Sequence, residues 1–219
     1  VSIRPDWFVG YPITLRVPEI IYSRSIGDTF YVDHIAGGGF LRLRERYVHV
    51  SPVWEIVEPG RHIRYRVSVP KKCAFWAELI ARADVVDVTW GFRNETRTSI
   101  DDLMVQFCPC MDRTTEFADP RGERVFLPRG DGFIRPIEQG AREGVPNLHR
   151  TPENTADDVI CLESVDGKHA IGIGWDVRPQ HFLNNSFLTC IHTEPHIDPL
   201  APGAEQEVHG AFYCMEGNR

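Results

Sequence analysis

No stretch of this 219-residue chain approaches 18 consecutive apolar residues, which argues against a membrane-spanning helix. Positive charge is scarce too. Lys and Arg number 24 against 31 Asp and Glu, a net charge of −7, whereas a general nucleic-acid binder wants a basic face. The chain lacks a Walker sequence, a G-x-S-x-G elbow, a G-x-G-x-x-G after a strand and a C-x-x-C pair. Phosphate-loop, α/β-hydrolase, dinucleotide-binding and thioredoxin-like chemistry therefore have no local mark. The one triple glycine, Gly37-Gly38-Gly39, is followed by no Lys-Ser/Thr and reads as a flexible turn. Val1 to Pro12 has no basic flank before an apolar segment, so it is not read as a signal peptide. Helical periodicity is weak throughout. Lys72 to Arg82 is its best candidate, and its Phe, Trp and Ile content suits a strand equally well.

What is present is core and strand. With 42% hydrophobic residues the chain can bury a sizeable interior, and its length fits one large domain spanning 1–219. Six cysteines, at 73, 108, 110, 161, 190 and 214, are too sparse for a disulfide scaffold. They are expected to be buried free thiols in a cytoplasmic protein, with secretion or the periplasm as the alternative. Asn94-Glu95-Thr96 and Asn184-Asn185-Ser186 match the glycosylation sequon, a pattern too common to weigh.

Period-two alternation recurs along the chain. Arg61 to Val69 places Ile63, Tyr65, Val67 and Val69 on one face and His62, Arg64, Arg66 and Ser68 on the other. Phe40–Val50, Phe75–Ala83, Val85–Phe92, Leu103–Cys110, Val159–Glu163, His169–Asp176, Phe187–Glu194 and Glu207–Met215 follow suit. Turn chemistry separates them at Glu58-Pro59-Gly60, Arg93-Asn94-Glu95, Val165-Asp166-Gly167 and Ala201-Pro202-Gly203. The expectation is an all-β, antiparallel sandwich. One segment, 116–157, breaks the rhythm with Gly, Pro and charge, and is expected to be a loop insertion serving as a lid or rim.

The chemistry concentrates at Cys190-Ile191-His192-Thr193-Glu194-Pro195-His196. On a strand, alternate residues share a face, so Cys190, His192 and Glu194 point one way and Phe187, Thr189 and Ile191 the other. His192 is the candidate acid/base group, since imidazole titrates near neutral pH, and Glu194 is its carboxylate partner or a second acid/base group. The bland alternative is a buried histidine that ties a strand to a loop. Gln106, Cys108 and Cys110 form a similar row on another strand. If the two strands are neighbours, the rows make one surface. Gln106 and Trp175 are candidate substrate-positioning residues. Tyr31 and His34 could reach the site from the first half of the chain. Trp54, Trp76 and Trp90 could stack on sugar rings, although tryptophans in strands are mostly core. Arg42, Arg44 and Arg46 form a solvated stripe or a grip for a sugar carboxylate.

These blocks resemble a set of bacterial proteins of unassigned reaction. Their ending has the form C-x-H-[ST]-[DE]-P, then P-G, then an aromatic strand closing on E-G. Here it reads Cys190-x-His192-Thr193-Glu194-Pro195, Pro202-Gly203 and Gly210-x-Phe212-Tyr213-x-Met215-Glu216-Gly217. Asn94 to Cys108 and the hairpin Asp166-Gly167-Lys168 to Trp175-Asp176 are similar to two further blocks, with a departure at His169-Ala170 where an aromatic is usual. The resemblance covers about half of the chain. It implies a sandwich related to the galactose-mutarotase-like supersandwich and a role in carbohydrate metabolism.

The leading expectation is an enzyme acting on a sugar, glycoside or uronate by acid/base chemistry, as lyase, epimerase or hydrolase. Its partner is a small carbohydrate, with no nucleic acid and no membrane, and it requires no cofactor. The alternatives are a metal-dependent enzyme, with a divalent ion held by His192 together with His34, His196 or Glu194, and a non-catalytic carbohydrate-binding or assembly module.

Overall fold

The two-residue period builds two sheets. The structure, a computed structural model, describes residues 1–8, 10–32, 46–129, 132–135, 147–150, 158–185 and 188–217. In chain order the first strands are β1 (Ser2–Ile3), β2 (Ile13–Ser23), β3 (Asp28–Val32), β4 (Arg46–Val50), β5 (Glu55–Glu58), β6 (His62–Val69), β7 (Cys73–Ala81), β8 (Val85–Asn94) and β9 (Met104–Cys110). After a 3-10 turn at Thr115–Phe117 come β10 (Val125–Arg129), β11 (Gly132–Ile134), β12 (Asn147–Arg150), β13 (Val159–Glu163), β14 (His169–Trp175), β15 (Pro179–Asn185), β16 (Cys190–Pro195) and β17 (Glu205–Glu216). One sheet runs β12-β15-β16-β9-β2-β3-β4 with β1 beside β2, and the other runs β11-β10-β13-β14-β17-β8-β7-β6-β5. Every pairing is antiparallel except β3 with β4. The protein is an antiparallel β-sandwich.

The segment with helical hints is β7. Its alternate residues Cys73, Phe75, Ala77 and Leu79 are buried against the opposite sheet, which rewards a period of two over one of 3.6. Gly60 turns the β5–β6 hairpin at φ +73°, a conformation open to glycine. Six described strands were not read from the sequence: β1, β2, β3, β5, β12 and β15. Of these, β2 is nearly all buried, so its apolar run shows no alternation. β3 and β5 are short, and β15 mixes polar and apolar residues.

Both sheets share one core. Phe107 on β9 sits 4.2 Å from the ring of Trp175 on β14 and 5.8 Å from Trp90 on β8. Phe30 meets Phe75 across the same gap, and the Tyr65 hydroxyl donates to the Val17 carbonyl at 2.6 Å. Burying each of these rings is worth about 1.5–3 kcal/mol. Asn94, the first sequon residue, is fully buried; its amide donates to the Thr98 and Leu200 carbonyls and its oxygen accepts from Thr96. It ties a turn to the chain's last third.

The described strands of 116–157 lie at the margins of the two sheets. β10 and β11 form a hairpin, stapled by Phe126 against Phe133 at 4.8 Å, on the margin of the nine-stranded sheet. β12 pairs with β15 at the margin of the other. Short apolar alternation such as Val125–Leu127 was enough to recruit them. The lid expected here falls otherwise on 130–131, 136–146 and 151–157, outside the described residues. Two further expectations also lie there: His34 with the triple glycine, and Arg42 with Arg44. Among the described residues no helix is long and apolar enough to cross a membrane.

Candidate active site

Strand β16 presents its reactive residues as alternation requires. Ile191 and Thr193 face the other sheet, where Ile191 joins the common core and Thr193 stands opposite Phe107. Cys190, His192 and Glu194 take the outer face. Phe187 lies outside the described residues, and Thr189 is in the preceding turn at φ +45°. The neighbouring strand is β9, with Cys190 opposite Cys110 and Thr193 opposite Phe107. The same register sets His192 opposite Cys108. The two rows read from the sequence are therefore adjacent on one surface.

Arg16 and Glu19, from β2, were not anticipated. Three residues apart, they would fall on opposite faces of a regular strand. Between them the ladder to β9 shifts: Arg16 pairs with Cys108 and Ile20 with Gln106, so four steps along β2 match two along β9. Pro18, with no N–H to offer, sits in this interruption, as prolines in sheets tend to. The bulge turns both charged groups to the same side, a re-aiming common near functional sites.

The charged groups are knitted together. Glu19 accepts from the Gln106 amide at 3.0 Å, lies 3.2 Å from His192 Nε2 and 3.5 Å from Arg16 Nη1. Arg16 also donates to Cys108 Sγ at 3.4 Å, and Cys190 Sγ lies 3.6 Å from His192 Nε2. Cys108, Cys110 and Cys190 pack against one another as free thiols. One strand further out, His181 on β15 is the cross-strand partner of Glu194, with Nδ1 3.1 Å from Oε2.

Burial sets the proton affinities. It works against the His192 imidazolium, but Cys190 and Glu19 outweigh it and hold that proton well above the usual histidine range. Burial pushes the Cys108 thiol up, while thiol hydrogen bonds from Cys108 and Cys190, with Arg16 nearby, draw Cys110 down. Burial raises the Glu194 carboxyl, and His181 and His192 only partly offset this. His192 and Glu194 also differ in access. The His192 side chain is 7% exposed, whereas His181, the partner of Glu194, is 28% exposed.

Other expected residues go elsewhere. Trp175 is on β14 of the opposite sheet, 7% exposed, with its ring in the inter-sheet layer against Phe107, so it does not share a surface with His192. Alternation alone could not say which sheet its strand would join. Trp90 is likewise core, and Trp76 lies on the outer face of β7 with Arg66 4.4 Å above its ring. His196 follows the end of β16 and turns to the surface, where it meets Gln180 at 2.8 Å and Asp198 at 3.4 Å. It therefore cannot share an ion with His192. Tyr31 pairs with Ile20 next to the bulge, but its side chain lies outside the described residues. Sequence reasoning also missed His181, because β15 carries no clean alternation.

A second feature lies on the outer face of the nine-stranded sheet. It is a groove of about 890 Å³ floored by Gly174 and Ala211 and flanked by Tyr213, Met215, Phe126 and Phe133.

No family model matches the chain, and no curated protein matches it in sequence. Its fold does match solved structures. A galactose mutarotase related enzyme from Lactobacillus acidophilus is similar at a TM-score of 0.54 and 12% identity, over 95% of this chain and 84% of that one. A Synechocystis sp. PCC 6803 protein gives 0.54 at 9% identity over 99% and 80%. A galactose mutarotase-like protein from Lactobacillus casei gives 0.50 at 12% over 94% and 85%. At these identities the likeness establishes a galactose mutarotase-like fold.

Proposed function

We propose that this protein acts on a sugar or glycoside by acid/base chemistry at the outer face of the eight-stranded sheet, with Glu194 and His181 as the proton-transfer pair. The observation that carries this reading is the 3.1 Å contact between a buried carboxyl of raised proton affinity and a partly exposed imidazole. A carboxyl that keeps its proton into a less acidic range is suited to general acid work, and the adjacent imidazole lies within reach to exchange a proton with it. The galactose mutarotase-like fold supports a sugar as the substrate. Anomeric epimerisation is the simplest reaction that such a pair can run. One group takes the anomeric hydroxyl proton while a proton is delivered to the ring oxygen. The C1–O5 bond opens and then recloses on the other face, with no net change in atoms. His192, the residue ranked first from the sequence, would anchor Glu194's strand through Glu19 and Gln106.

The groove favours a second reading, a sugar-binding module, because Tyr213 and Phe133 are exposed aromatics beside a glycine-bearing floor.

The test follows anomer interconversion and glycoside or uronate turnover by NMR over a panel of aldoses, uronates and glycosides. Glu194→Gln and His181→Ala should each lose roughly 100-fold or more in turnover while keeping the fold. If well-folded Glu194→Gln turns over as fast as the parent, the proposal fails. Sugar-induced shifts confined to the groove, with no turnover of any panel member, favour the binding module.

A further inference from the structure

We propose that Cys108, Cys190 and His192 form a binding site for one borderline-soft divalent ion, zinc(II) being the natural occupant of such a donor set. Their ligand atoms lie within 4.8 Å of one another, and all three residues are buried. The reading does not depend on the sugar proposal, whose proton-transfer pair is Glu194 with His181.

Four observations carry it. The first is register. Cys108 and His192 face each other across β9 and β16, and Cys190 is two residues from His192 on the same face, so the backbone itself converges the three donors. The second is distance. Zinc bonds of about 2.3 Å to sulfur and 2.0–2.1 Å to imidazole, spread at a tetrahedral angle, put sulfur and nitrogen about 3.6 Å apart. Cys190 Sγ and His192 Nε2 are 3.6 Å apart.

The third is donor chemistry. Two thiolates and an imidazole suit zinc, and three protein ligands leave a fourth position for water or another donor. The thiols are reduced, as ligation requires. The fourth is charge. Binding releases the two thiol protons and the extra His192 imidazolium proton to solvent, after which two thiolates, a neutral imidazole, the ion, Arg16 and Glu19 sum to zero. Arg16 donates to Cys108 Sγ, the sort of outer contact that orients a metal ligand. Glu19 borders the same ring nitrogen and is fixed by Gln106. A buried set that closes to neutrality with its ion in place avoids the penalty of an uncompensated interior charge.

The site differs from the histidine-rich set expected from the sequence: it keeps His192, sets His196 aside, and takes its other donors from the cysteines of the two rows, Cys190 and Cys108.

The experiment uses the full chain, purified without affinity metal or chelator under reducing conditions. Elemental analysis should find close to one equivalent of zinc. After removal by chelator, cobalt(II) should bind with about one-to-one stoichiometry and show thiolate-to-cobalt charge-transfer absorption. Cys108→Ser, Cys190→Ser and His192→Asn should each abolish that absorption or weaken binding at least 100-fold. Glu19→Gln should weaken it about 10–100-fold. The native-protein measurement stands by itself even if a variant fails to fold. Zinc well below one equivalent together with no cobalt–thiolate absorption in the reduced native protein overturns the site. So does full metal retention by a folded Cys108→Ser, Cys190→Ser double variant.

Discussion

The two outer faces of this sandwich are built by the same alternation and come out opposite in character. On β2, β9, β16 and β15 the outward residues are Arg16, Glu19, Gln106, three cysteines, two histidines and Glu194, and most are buried. On the other sheet the outward residues Gly172 and Gly174 of β14 and Ala211 of β17 are small, and they leave a groove beside exposed Tyr213 and Met215, with Glu163 and His209 also lining it. One face has chemistry in a tight space, and the other has space with little chemistry. The difference shows that alternation assigns a residue to a face but does not say what the face is for. Interlocked charges fix the first face. On the second, Gly172 and Gly174 bring no side chain to the outer surface, and the adjoining strands pack closely.

The largest contrast should appear when one polar group is removed from the first face. Arg16→Ala takes the guanidinium from buried Glu19 and Cys108 and leaves Glu19 with His192 as its facing cation, and the expected loss is about 3–5 kcal/mol in urea unfolding. Tyr213→Ala, on the groove side, should stay within about 1 kcal/mol, because its side chain is already partly solvated. Equal losses at the two positions would erase the distinction drawn here.

A smaller effect tests the packing beneath the groove. A Cβ on Gly210 would lie 2.4 Å from the Gly174 carbonyl and 2.7 Å from the Trp175 ring. Gly210→Ala is therefore expected to cost about 1–3 kcal/mol by overpacking. The accompanying change in tryptophan fluorescence should come from Trp175. A Gly210→Ala protein as stable as the parent would mean that the two strands approach less closely than described.

The smallest expected effect probes the bulge. Tyr65→Phe removes the hydroxyl that holds the Val17 carbonyl from across the core, at a cost of about 1 kcal/mol. Val17 lies between Arg16 and Glu19, so a double-mutant cycle of Tyr65→Phe with Glu19→Gln should be non-additive, by about 0.5 kcal/mol or more. Strict additivity would show that the bulge holds its shape without that bond.

The sequence by itself determined the fold class and the orientation of one strand. Side chains on a strand must alternate, so Cys190, His192 and Glu194 were bound to share a face and Ile191 to oppose them. Gln106 and Cys108 were legible as a second row for the same reason. Only the tertiary structure decided what those rows would meet. It placed β9 beside β16 in the register that sets Cys108 opposite His192. It sent Trp175 to the other sheet and His196 to the surface. Through a bulge in β2 it brought in Arg16 and Glu19, whose three-residue spacing hides them from any rule of two. Strand order and register depend on contacts between segments far apart in the chain, such as Arg16 with Cys108 and Tyr65 with Val17, and local periodicity carries no record of them.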